Sequence, residues 1–203
     1  MTKEILIPLA GVILYGSGCL LLNAVQIRSV KLAGVMVLYL GGSILLLNVC
    51  SFQMCAALFI CGIGVVVLLG TGYKDQNKMT SFMENSREAL LLRIILFVVF
   101  GILAYTVMEN LRLWVPVQRR VLLVSVWCIL LGLVSLSLDD DLFSRSVYSQ
   151  SICLSFTISY INMENSMLVF ACFAVINLMM AFGSAVLISR QLPYLPDNGV
   201  TEE

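Results

Sequence analysis

The chain has 203 residues, of which 60% are hydrophobic and only 12% charged, and its 12 Lys and Arg balance its 12 Asp and Glu. So few charges cannot coat a soluble domain of this length, and a net charge of zero offers no electrostatic footprint for nucleic acid. Histidine is absent, which removes the usual haem ligand and one of the commonest ligands of zinc and copper.

A helix needs about 20 apolar residues to cross the hydrocarbon of a bilayer. Seven windows have or approach that length: 5–25, 30–50, 54–73, 89–108, 121–138, 142–161 and 167–189. They predict an all-α membrane protein of about seven transmembrane helices, because lipid forces each backbone group to bond within its own helix. In the first window, Gly16-Ser17-Gly18-Cys19 has a faint likeness to a lipoprotein cleavage site. Gly16 stands where Leu is usual and Leu20-Leu21-Leu22 continues the apolar run, so an uncleaved membrane helix is expected. Glycines are dense through the first three windows (Gly11, Gly16, Gly18, Gly34, Gly41, Gly42, Gly62, Gly64, Gly70 and Gly72), as close helix packing in membranes requires.

Residues 74–88, KDQNKMTSFMENSRE, form the longest inner loop. Ser81-Phe82-Met83-Glu84 fits a capping box, which would start a helical turn leading into the fourth window. Arg93 lies about one turn inside that window and is expected to snorkel to the interface. Glu109 and Asn110 close it, and a basic loop with Arg112, Arg119 and Arg120 follows. After the fifth window comes Asp139-Asp140-Asp141. Acids at a helix start suit its dipole; docking to a basic partner is the alternative role for Asp139, Asp140 and Asp141.

The sixth window is the most polar. Ser146, Gln150, Cys153, Thr157 and Tyr160 share one helical face, and Ser151, Ser155 and Ser159 a second. A helix polar on two faces belongs inside a bundle, where its side chains bond across to neighbours; the alternative is a hydrated lining for protons or ions. Gln150 lies mid-span, as does Asn177 in the seventh window. Unpaired amides are costly in hydrocarbon, so the two are expected to pair if their helices adjoin. Neither stores a proton near neutral pH.

Helices one to three (1–73) and five to seven (121–203) share one layout, joined by a segment (74–120) of inner loop, fourth helix and outer loop. Arg28-Ser29-Val30 and Arg145-Ser146-Val147 open the two middle helices. Two three-helix units running in the same direction are the expectation, as in parallel repeats. MENS occurs at 83–86 and 163–166, where Asn and Ser read as helix caps. The seven cysteines lie in or beside apolar segments with no CxxC pair, so they read as small packing residues. One side of the bundle collects Arg28, Lys31, Lys74, Lys78, Arg87, Arg93, Arg145 and Arg190; the other has Lys3, Arg112, Arg119 and Arg120. Basic loops stay cytoplasmic, which places the N-terminus outside and the C-terminus inside. No phosphate loop, nucleophile–base pair or carboxylate pair is visible, so neither catalysis nor a cofactor is expected of this chain.

Val121-Leu122-Leu123-Val124-Ser125 through Leu130-Leu131-Gly132-Leu133, then Asp141-Leu142, then Ala181-Phe182-Gly183-Ser184-Ala185-Val186-Leu187 together resemble the three helices of the K subunit of complex I. They are similar also to the matching subunits of multi-subunit cation/proton antiporters. The seven-span layout resembles the E component of complex I-related membrane-bound hydrogenases. The resemblance implies membrane-embedded glutamates in the second and third of these helices, but Gln150 and Met179 stand at those positions. It therefore implies a fold kept without the usual proton relay. The expected function is a non-catalytic membrane subunit that scaffolds a respiratory or hydrogenase complex in a bacterial or archaeal cytoplasmic membrane, with other membrane subunits and lipid as partners. The alternative is a free-standing small transporter with Gln150, Asn177 and the hydroxyls as a neutral polar site.

Overall fold

The computed structural model describes residues 2–25, 27–47, 49–74, 87–164 and 166–190. The capping box at 81–84 and the first MENS fall outside them. The described residues form seven helices: α1 (Thr2–Ala24), α2 (Arg28–Leu46), α3 (Phe52–Lys74), α4 (Arg87–Leu111), α5 (Arg119–Leu138), α6 (Leu142–Met163) and α7 (Met167–Arg190). Each predicted window falls on one of them, with ends displaced by a few residues. Gly16-Ser17-Gly18-Cys19 lies inside the continuous α1.

This is an all-α membrane protein. Five helices are long and apolar enough to cross a membrane: α2, α3 over Phe52–Thr71, α4 over Arg93–Leu111, α5 and α7. In α1 the apolar stretch Pro8–Ala24 is shorter. The sixth window differs from expectation by this measure: α6 has 22 residues but is not among the five, because its serines and Gln150 dilute the apolar residues. The bundle compensates by turning Gln150, Ser151, Ser155 and Thr157 inward, where all four are buried.

The helices pack in two layers. In one, α2 lies between α1 and α3; in the other, α6 lies between α5 and α7. Across the layers α1 packs on α5, α2 on α6 and α3 on α7. The fourth helix rests against α5 and α1 at one end of both layers, and its apolar face, with Ile95, Val98 and Ile102, is exposed. Glycine fixes the closest approaches. A Cβ on Gly41 would lie 2.6 Å from the backbone nitrogen of Tyr15, so α1 and α2 meet backbone to backbone there. A Cβ on Gly62 would collide with the Tyr39 ring. By contrast, a Cβ on Gly16 or Gly183 would meet nothing within 4 Å. All seven cysteines are free thiols, and five of them are buried.

Candidate functional site

Two polar clusters sit inside this apolar framework. The first lies midway along α6. Gln150 Nε2 donates to the Tyr39 hydroxyl (2.9 Å), to the Asn177 side-chain oxygen (3.1 Å) and to the Asn177 carbonyl (3.1 Å). The Tyr39 hydroxyl donates to Asn177 Oδ1 (3.3 Å). Asn177 Nδ2 donates to Thr157 Oγ1 (3.3 Å) and to the Phe173 carbonyl (2.9 Å). Tyr39, Asn177 and Thr157 are 0% exposed and Gln150 2%. The expected amide pair is therefore present, and it ties α2, α6 and α7 together. The amide nitrogens of Gln150 and Asn177 and the Tyr39 hydroxyl are thus all bonded to one another or to neighbouring helix groups. Nearby, the buried Tyr15 hydroxyl meets Ser155 Oγ at 2.7 Å, linking α1 to the second polar face of α6.

The second cluster lies where α2 and α6 begin and α5 ends. Lys31 is 1% exposed. Its ammonium donates to Ser144 Oγ (2.6 Å), the Tyr148 hydroxyl (3.1 Å) and Asp139 Oδ2 (3.2 Å). Asp139 also accepts from Arg93 (2.8 Å) and Tyr148 (2.7 Å). Arg93 continues to the Asn23 carbonyl (3.1 Å), and Ser135 bonds the Asn23 side chain. Beside these groups, Asn23, Arg93, Ser135, Asp139 and Tyr148 line a cavity of about 10 Å³, room for about one water. Burial alone would raise the Asp139 carboxyl, but the Tyr148 hydroxyl, the Lys31 ammonium and the Arg93 guanidinium outweigh it and hold it below its ordinary value. Asp141 caps α6, accepting from the Ser144 backbone nitrogen (3.3 Å), and pairs with Arg28 (3.0 Å).

The structure separates the residues singled out in the sequence. It joins Gln150, Asn177 and Thr157. It leaves Ser146 bonded to its own helix at the Leu142 carbonyl and Tyr160 bonded to Glu164 near the far end of α6. Among the three acids, Asp139 faces inward with 15% of its side chain exposed, Asp141 is at 39%, and Asp140 is at 99% beside Arg145. A partner can reach Asp140, whereas Asp139 is enclosed by Lys31 and Arg93. Arg93 differs from expectation: it is paired inside the bundle, with Asp139 (2.8 Å) and the Asn23 carbonyl (3.1 Å), and only 14% of its side chain is exposed. Sequence reasoning missed Tyr39, Tyr15, Asn23 and Tyr148 and treated Lys31 as a loop charge. One signal was available, since Lys31 falls within its apolar window and the chain's one run of three acids falls on the same side.

Among the described residues, Ser125 Oγ and Asn162 Nδ2 are the buried side-chain polar atoms without a hydrogen-bond partner, and no group of three metal-ligating side chains is present. No protein family, curated protein or solved structure matches this chain.

Proposed function

We propose that this chain is a non-catalytic membrane subunit that scaffolds a complex I-related respiratory or hydrogenase assembly, in a bacterial or archaeal cytoplasmic membrane. The resemblance of α5–α7 to the K subunit supplies the kind of assembly. The closed cluster of Gln150, Tyr39, Asn177 and Thr157 is the observation that carries the role. A transporter for neutral solutes needs polar groups turned toward an open path, and here the two amides bond each other at 0–2% exposure. A proton relay needs a group that titrates mid-membrane, and Gln150 does not. Electron carriers, quinone and any metal belong, on this reading, to partner subunits.

Gentle solubilisation of native membranes, followed by mass spectrometry of what accompanies the chain, tests the proposal. The expected result is co-migration with large membrane subunits and redox proteins. A monodisperse chain that catalyses solute uptake alone in liposomes would establish the transporter instead.

A further inference from the structure

The two ends of the bundle differ in how their basic residues are neutralised. Around the α5–α6 turn, Arg28, Lys31, Arg93 and Arg145 each meet a carboxylate of Asp139, Asp140 or Asp141. Around the α4–α5 turn only Arg119 does so, pairing with Glu109 at 2.5 Å and donating to the Tyr105 hydroxyl (2.9 Å). Arg112 and Arg120 are exposed, with no ion pair or side-chain hydrogen bond among the described residues. Counting Glu164, which follows α6 at this end, three arginines exceed two acids.

This turn is confined to the membrane surface. The α4 span ends at Leu111 and the α5 span begins at Arg119, and the two helices adjoin. The chain reverses tightly between them: the Leu111 carbonyl accepts from the Trp114 and Val115 backbone nitrogens (2.9 and 3.0 Å), and Val117 is already buried again. Leu113 and Trp114 are left at the tip, 83% and 85% exposed. At that depth an apolar side chain gains by leaving water for the upper acyl layer, and an indole settles at the headgroups. The same tip carries two guanidiniums without a carboxylate, and their fork of N–H donors matches phosphate oxygens.

We infer that the α4–α5 turn is a binding site for anionic phospholipid headgroups, with Leu113 and Trp114 set into the bilayer and Arg112 and Arg120 on the lipid phosphates. Zwitterionic lipids offer a phosphate too, but their own ammonium offsets it, so an excess of arginine selects lipids of net negative charge. The inference uses only the membrane-spanning fold and is independent of the scaffold role.

Trp114 can report on the site, because Trp127 is the chain's one other tryptophan. Trp127→Phe removes it and keeps a ring against Phe97. The full chain with this change is reconstituted in mixed phosphatidylglycerol and phosphatidylcholine bilayers, with a nitroxide near the top of the acyl chain on one lipid or the other. Both labels should quench Trp114, with phosphatidylglycerol about fivefold more effective per molecule. Raised salt should shrink that difference. Arg112→Gln combined with Arg120→Gln should abolish it, with quenching by phosphatidylcholine and the helical content unchanged. Equal quenching by the two lipids in the parent chain would refute the headgroup preference. A preference that survives the double substitution would move the site away from these arginines. No quenching by either lipid would put the tip against water or protein and refute the site. Loss of the preference on adding inorganic phosphate, beyond the effect of chloride at equal ionic strength, would show a soluble phosphate ligand instead of a lipid.

Discussion

Gln150 is the residue on which the functional reading turns. Gln150→Leu keeps roughly the same bulk and removes the amide that bridges Tyr39 and Asn177. Leaving buried partners unsatisfied costs about 1–3 kcal/mol. The variant should therefore lower the detergent melting temperature and the yield of intact complex. Proton translocation per turnover, normalised to intact complex, should be unchanged. Loss of pumping with full assembly and full electron transfer would place Gln150 on a water-borne proton path and defeat the scaffold role. Asp139 makes a separate prediction, in pH. Its carboxyl is held below the ordinary carboxylate value in the folded chain, so the unfolded chain binds the proton more readily. The stability from Asp139 is then complete above the unfolded value of about 4 and is lost as pH falls through the lower folded one. Asp139→Asn should lower stability at neutral pH, since Lys31 and Arg93 lose their shared carboxylate, and should flatten the acid limb of a melting-temperature profile below about pH 4. An unchanged acid limb would mean that Asp139 contributes nothing to it.

At the scale of the element, α6 organises the bundle. It touches α5 and α7 within its layer and α2 across it, and Ser155 at 0% exposure sits against Tyr15. Ser155→Leu forces a branched side chain into that contact and should cost about 1–3 kcal/mol. Val67→Leu on α3, at a position 57% exposed, should change little. Equal thermal stability of the two variants in detergent would argue that α6 is not enclosed. The polarity of α6 and its burial were both legible from spacing alone, because serines at intervals of four fall on one face whatever surrounds them. What covers that face was not. Tyr15, in α1, and Tyr39, in α2, lie more than a hundred positions away in sequence from Ser155 and Gln150, and nothing local says which group each mid-window hydroxyl meets. The same limit explains Arg93. One turn from a helix end, it reads as a snorkelling cation until α5 brings Asp139 within 2.8 Å. Periodicity locates elements, whereas long-range ion pairs depend on which helix ends meet.

Across the whole molecule, charge distribution bears on orientation. Arg28, Lys31, Arg93 and Arg145 gather with Asp139, Asp140 and Asp141 at one end of the bundle, and Arg112, Arg119 and Arg120 lie at the turn between α4 and α5. The pairing does not cancel the topological bias, since basic residues near the spans set orientation and acids contribute little. Eight Lys and Arg, Lys74, Lys78, Arg87 and Arg190 among them, fall on the first side and four on the second, so that first end should face the cytoplasm. Asp140, 99% exposed at its side chain, and Leu113, 83% exposed at the opposite end, are suited to single-cysteine labelling in a background with the native cysteines replaced. An impermeant maleimide applied to intact cells should modify Leu113→Cys and spare Asp140→Cys, and permeabilisation should expose the latter. Trp114 beside Leu113 is 85% exposed, consistent with the aromatic preference for the membrane–water interface, so the labelled position should lie at the headgroups rather than in hydrocarbon. The reverse pattern in intact cells would invert the molecule.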